Sequence, residues 1–210
     1  MQSKSMVQII EPASSFALIS LEELKACLKI TSTTEDALLT ALINQSSDAV
    51  SRYCNRVFAK EKVTETFRQT SYDCLFLARW PIKEAEFEAV TADGSEVDAD
   101  EYELDGIGGR LTNLTGTPWA EPIQVTYKGG YLLPDEAPPS LRQAVTLLGR
   151  ENYNAVQRGD STVRMIGHKE SRVIYFDPNA ANRGAAVSQG GSAAQRAIHD
   201  LLTHFTRFEA

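Results

Sequence analysis

No run of apolar residues in this sequence approaches the ~20 needed to cross a bilayer, so a membrane partner is not expected. Met1 to Pro12 has no cationic start followed by an apolar core, which argues against a secretory signal. Cysteine is scarce. Cys27, Cys54 and Cys74 are odd in number and fit neither a disulfide frame nor a zinc spacing, so they read as buried thiols of a reducing compartment. Histidine is scarcer in pattern than in number. His168 stands alone, and His199 and His204 are five apart, about 140° around a helix, which does not suit a shared metal. Gly106-Ile107-Gly108-Gly109 lacks the third glycine and the helix start of a dinucleotide loop, and reads as a turn. No lysine follows a glycine run as in a phosphate loop, and no serine sits in a nucleophile elbow. Catalytic residues, cofactor and metal are therefore all expected to be none.

What is present is an ordinary globular composition: 210 residues, 42% hydrophobic and 23% charged. That is enough for one medium domain with appendages. The formal charge is −7, and it is unevenly placed. Residues 61–131 hold fourteen acids against six bases, while 1–60 and 132–178 each balance at six against six. Within the acidic part, Glu84 to Asp105 carries ten acids and no base. A protein that grips a phosphate backbone shows the opposite pattern. The segment reads as a solvated sheet face, or as a surface that repels nucleic acid or meets a basic partner.

Periodicity gives helices, then strands, then helices, an α+β chain. Residues 1–17 lack a clear period and read as an arm. Ser20 and Glu23 have capping-box spacing, predicting a short helix to about Lys29 with Leu21, Leu24 and Leu28 on one face. Thr33 or Thr34 can cap a second helix, whose stripe Leu39, Ile43, Ser46, Val50 and Tyr53 steps by four, three, four, three. It should end near Asn55 in a left-handed conformation. Period two follows. Val63, Glu65 and Phe67 share a face, Cys74 to Ala78 is a short run, and Ile82 to Val90 carries Glu84, Glu86 and Glu88 in alternation on one strand face. Asp93-Gly94 is a turn, and Tyr102 to Leu104 and Ile123 to Tyr127 are further strands, ended by Gly129-Gly130. Together they predict an antiparallel meander of five or six strands.

A third helix should run from Pro139 to Gln157, weakened by Gly149 by up to ~1 kcal/mol relative to alanine. Val163 to Ile166 and Arg172 to Phe176 read as a short hairpin around Gly167, and Asn179 to Gly191 as a flexible linker. Ser192 and Gln195 form another capping box. Beyond it, Ala194, Ile198, Leu201, Phe205 and Phe208 again step by four, three, four, three. An amphipathic helix on a flexible tether either docks back on its own core or is made to bind something else.

Three blocks carry a family resemblance. The first is Ser20-Leu21-Glu22-Glu23-Leu24-Lys25 with Leu28-Lys29-Ile30, then Glu35-Asp36-Ala37-Leu38-Leu39 and Tyr53-Cys54-Asn55-Arg56-Val57-Phe58. The second is Leu75-Phe76-Leu77-Ala78-Arg79-Trp80-Pro81-Ile82, Asp93-Gly94-Ser95, Tyr102-Glu103-Leu104-Asp105 and Ile123-Gln124-Val125-Thr126-Tyr127-Lys128-Gly129-Gly130-Tyr131. The third is Pro138-Pro139-Ser140-Leu141-Arg142-Gln143-Ala144-Val145, closing with Ala197-Ile198-His199-Asp200-Leu201-Leu202-Thr203-His204-Phe205-Thr206-Arg207. In this order the chain resembles the head–tail connector, or adaptor, proteins of long-tailed bacteriophages and gene transfer agents, over about residues 18–157 and 192–208.

The resemblance implies a small helical bundle with the antiparallel β-meander inserted between helices 2 and 3, and a tethered C-terminal helix. The implied parts are an arm at 1–17 and an adaptor core at 18–157, whose helices span 18–60 and 138–157 around a β-rich insertion at 61–131. An extended hairpin and linker at 158–191 and a docking helix at 192–210 follow. The arm and the 158–191 segment are longer than the family pattern. The implied function is mechanical: a ring of copies, twelve in the usual arrangement, under the portal protein at one capsid vertex. Such a ring extends the DNA channel and offers a surface to the stopper or tail-terminator protein. DNA passes through without sequence-specific binding. Assembly takes place in the bacterial host cytoplasm, and the product sits in the virion neck. Portal binding would fall to Ile198, Leu201, Leu202, Phe205, Arg207 and Phe208. Glu84, Glu86, Glu88, Asp98, Asp100 and Glu101 would form an acidic face toward the channel or a basic partner. The alternatives are a stopper or tail-completion neck protein, and a small hydrolase-type enzyme with a deep polar pocket in the meander.

Overall fold

The computed structural model describes residues 5–68, 73–157, 165–168, 171–174 and 193–206. Its first element is a strand, β1 (Ser5–Glu11), inside the segment expected to be only an arm. Helix α1 (Leu21–Leu28) follows, opened by the predicted capping box. Ser20 Oγ accepts from the Glu23 amide at 3.2 Å, and Glu23 Oε2 accepts from the Ser20 amide at 3.1 Å. Lys29 closes it in the left-handed region. Helix α2 (Asp36–Tyr53) starts without a side-chain cap; the Thr33 carbonyl, not its hydroxyl, accepts from the Asp36 amide. Asn55 is left-handed, as predicted. Leu39, Ile43, Ser46 and Val50 are buried, but Tyr53 at the end of the stripe is exposed. Ser46 tolerates burial because its hydroxyl accepts from Asn152, and the neighbouring Ser47 hydroxyl accepts from the Leu18 amide.

Strands β2 (Glu61–Phe67), β3 (Cys74–Phe76), β4 (Phe87–Ala92), β5 (Ser95–Glu96), β6 (Tyr102–Asp105), β7 (Arg110–Asn113) and β8 (Ile123–Gly129) come next. The expected meander inserted between the second and third helices is corrected in two ways. The sheet system begins ahead of the first helix, because β1 pairs antiparallel with β2. The strands also split into two sheets, of order β1-β2-β8-β4-β5 and β3-β7-β6, so that β2 neighbours β8 and not β3. The cause is hydrophobic alternation. β2 buries Glu61, Val63, Glu65 and Phe67, and β8 buries Ile123, Val125 and Tyr127, so each needs a central place. The stretch from Ile82 is no continuous strand either. Glu84–Glu86 is a single 3-10 turn, and β4 starts at Phe87. The Asp93-Gly94 turn is observed, both residues having positive φ. At the end of β8 the paired glycines are steric requirements. A Cβ on Gly129 would lie 2.4 Å from the Arg79 carbonyl oxygen, and one on Gly130, at φ +109°, 2.5 Å from that of Ala59.

Helix α3 (Pro139–Gln157) has the predicted span. Its Gly149 is explained by packing: a Cβ there would press within 3.3 Å of Leu24 Cδ1, so the glycine lets α1 approach. Strands β9 (Met165–His168) and β10 (Ser171–Ile174) form an antiparallel hairpin that is a sheet by itself, turning after His168 and not at Gly167. Helix α4 (Ala193–Leu202) ends in a 3-10 turn, Thr203–Phe205. The linker expected at 179–191 and the Ser192 cap lie outside the described residues.

Two apolar cores result. One joins the helices through Leu24, Leu39, Ile43, Leu141, Val145 and Leu202. The other lies under the sheets around Val63, Phe67, Leu75, Leu111, Val125 and Tyr127. Arg56 fastens one to the other. Its guanidinium lies 3.8 Å from the centroid of the Trp80 ring and 4.8 Å from that of Phe58, and it donates to the Trp80 carbonyl.

Candidate functional site

The acidic residues do not form the single strand face expected of them. Glu86 pairs with Lys60 at 2.5 Å and Glu88 with Lys62 at 2.7 Å, both lysines of the β2 region. Across the same sheet, Glu11, Lys62 and Lys128 are in register, and Lys128 pairs with Glu11 at 2.7 Å. This outer face is a lattice of alternating charge, largely neutralised. The Lys128 ammonium, beside Glu11, Glu88 and Glu86, titrates above its ordinary value, and the Glu11 carboxyl below its own, chiefly through their mutual hydrogen bond. Glu84 is turned elsewhere. With Glu103 it lines a cleft of about 650 Å³, together with Phe87, Tyr102, Leu104 and Ile107. Asp98, Asp100 and Glu101 are exposed around the 3-10 turn that ends at β6, next to this cleft. The structure thus groups Glu84 with the later acids and separates Glu86 and Glu88 from them.

The terminal helix is not a free apolar face. Leu202 is 2% exposed within the helical core, and Ile198, Leu201 and Phe205 pack against the same core. Phe205 meets Phe58 edge-on with ring centroids 6.2 Å apart. The Tyr53 hydroxyl bonds His199 Nδ1, which explains why Tyr53 sits outside the core. Between α2, α3 and α4 an apolar hollow of about 240 Å³ remains. Of the two sequence alternatives, docking on its own core is the one observed in the single chain. Arg207 and Phe208 lie outside the described residues.

A buried polar hub was not anticipated. Glu65 has no solvent exposure, yet its carboxylate accepts from the Tyr127 hydroxyl at 2.8 Å, the Ala78 amide at 2.8 Å and the Ser5 hydroxyl. Four residues back on the same strand face, Glu61 is 3% exposed and takes the Arg79 Nε–H at 2.8 Å. The Arg79 amide in turn donates to Tyr127 Oη. Burial, reinforced by Glu65, pushes the Tyr127 phenol far above its ordinary range. The hub fixes the 77–80 loop on the sheet and ties β1 to β2. The only sequence signal was that Glu65 shares a face with Val63 and Phe67, which marks an acid on an apolar side.

The sequence profile of the head completion protein family matches residues 17–165. The chain belongs to the head completion protein family. No curated protein sequence matches this head completion protein. Solved structures do. The neck of an empty gene transfer agent particle, computed with C6 symmetry, contains a chain that matches with TM-score 0.57 at 15% identity, over 98% of this chain and 97% of that one. A chain of the virion of a native gene transfer agent particle matches with TM-score 0.58 at 14% identity, and one from the neck of a native particle computed with C12 symmetry with TM-score 0.55 at 16%, both over 98% of this chain and 97% of the other. At these identities the likeness is one of fold.

Head completion is a structural role. The titratable groups lining the cleft are Glu84, Glu103 and Tyr102. The Tyr102 phenol is raised by burial and by Glu96, the wrong direction for a phenolate. Among the described residues no group of histidine, cysteine, aspartate or glutamate could hold a metal ion, and no helix is long and apolar enough to cross a membrane. The cysteines depart from expectation in one respect: Cys54 is buried and Cys74 half-buried, but Cys27 is exposed.

Proposed function

We propose that this head completion protein is the connector subunit of a neck: a ring of copies, twelve by analogy, seated under the portal and extending the DNA channel. The observation that carries this is the pairing of the family match with a fold match running the whole length of both chains, since the matched chains belong to a gene transfer agent virion and its neck. The neck structures were computed with C6 and C12 symmetry, which suits a ring. A stopper would share the neck but take a different neighbour.

In this reading the residues Glu84, Asp98, Asp100 and Glu101 supply the free negative charge toward the channel, keeping the duplex mobile by repulsion. Glu86 and Glu88 contribute less, because Lys60 and Lys62 offset them. Portal docking through Ile198, Leu201, Leu202 and Phe205 requires α4 to leave its seat on α3, with Arg207 and Phe208 completing the contact. The hollow beneath α4 and the few polar ties holding it, chiefly Tyr53 to His199, favour such a release.

The test is electron microscopy of particles from a producing strain whose copy of this protein carries a label at the C-terminus. Label at one vertex between head and tail, with twelvefold averages, is the expected result. Label spread over the shell, or missing from particles, overturns the reading. Label at the vertex in a layer touching the tail but not the portal transfers the assignment to the stopper.

A further inference from the structure

β1 is an edge strand that the fold leaves unprotected. It is seven residues long, the longest edge strand among the described residues, and only its β2 side is paired. Met6, Ile9 and Ile10 are 64%, 50% and 48% exposed, so apolar groups show on both of its faces. Edge strands are normally blunted by proline, lysine, shortness or a cover. β1 has neither proline nor lysine, and Glu11 is its one charge. The opposite edge of the same sheet is blunted: β5 has two residues, and the Val97 amide adds a further bond to the Val90 carbonyl.

The same chain carries a second orphan. The β9–β10 hairpin pairs with no other described strand. Its strands pair Val173 with Ile166 and Ile174 with Met165. A lone two-stranded ribbon is marginal in water and needs a third strand or a packed face.

We infer that the β9–β10 hairpin of one copy adds to the open edge of β1 in the next copy around the ring, extending the five-stranded sheet across the subunit boundary. The inference rests on the ring reading. Each copy then offers one strand edge and fills another, the heterologous contact that closes a ring. Backbone hydrogen bonds supply the pairing, and Met6, Ile9 and Ile10 gain cover.

Cross-linking within assembled particles tests it. Two variants carrying Cys27→Ser are co-expressed, one with Gln8→Cys and the other with Ser171→Cys. Particles are treated with a short bis-maleimide able to span a register shift of about 7 Å. A cross-link between the two different chains is expected, and a chain carrying both cysteines should give a ladder of multimers. A cross-link within one chain only, or to another protein only, overturns the inference. So does the absence of a cross-link in particles whose neck contains the protein at the normal level; the ring reading survives that result. If the protein is missing from the vertex, both fall. As a second measure, replacing 165–174 by a glycine-serine segment of equal length should leave the thermal unfolding of the isolated chain unchanged and lower its incorporation into particles at least tenfold. Wild-type incorporation of that variant also overturns the inference.

Discussion

Glu65 reads as an error in the pattern of β2, an acid between Val63 and Phe67 on the buried face, and the folded chain turns it into a fastening. Three donors converge on it, so its cost is met by hydrogen bonds. Tyr127→Phe removes one donor and leaves the Arg79 amide without its acceptor. It should lower stability near neutral pH by about 1–3 kcal/mol, measured by urea titration. The phenol is raised in the folded state. Its contribution is therefore complete below the unfolded tyrosine value of about 10 and lost as pH climbs above it. The wild-type chain should lose stability progressively as pH rises above about 10, and Tyr127→Phe should show a shallower loss there. The thiols give a second test at this scale. Burial pushes Cys54 up to about 11 and raises Cys74 as well, while Cys27 is exposed. At pH 8 a thiol reagent should label Cys27 rapidly in the folded chain and Cys54 only after denaturation.

At the scale of elements, legibility followed locality. The Ser20 capping box, the span of α3 and the Asp93-Gly94 turn rest on residues a few positions apart, and each was readable. β1 was not, because an edge strand exposed on both faces has no alternation to detect. The continuous strand expected from Ile82 failed because Glu84, Glu86 and Glu88 imitate period two while the backbone turns through Glu84–Glu86 and becomes a strand only at Phe87. α4 shows the limit of amphipathicity: its stripe announces that it will be buried, not against what. The core site of Leu202 decides that. Leu202→Ala should weaken the seating of α4 by about 2–5 kcal/mol. Hydrogen exchange is the check: amides of residues 196–206 should lose protection, while those in the middle of α2 keep theirs.

For the whole molecule, the net charge is a poor guide to where field is felt. Part of the acidic segment is spent on Lys60 and Lys62, and the free remainder gathers around Glu84 and Asp98 to Glu103. Asp98→Lys, Asp100→Lys and Glu101→Lys together should leave the stability of the isolated chain within about 0.5 kcal/mol, since all three are exposed and surface substitutions of this kind cost little. In particles the same triple change should slow genome passage, measured as the rate of DNA release from triggered particles. Normal release would take the channel role away from these acids. Glu86→Lys with Glu88→Lys should behave in the opposite sense, costing up to about 1 kcal/mol per broken pair in the isolated chain and affecting passage less.

Composition and spacing alone determined the α+β class, the Ser20 start of α1 and the turn at Asp93-Gly94. These depend on residues close in sequence, where a cap, a turn or a period acts without help from the rest of the chain. The tertiary structure decided which strands are neighbours, which acids are neutralised, where α4 rests and why Glu65 is tolerated. Those outcomes depend on pairs such as Glu65 with Tyr127 and Glu11 with Lys128, more than sixty positions apart in the chain. Only the packing of whole elements brings such partners within hydrogen-bonding distance.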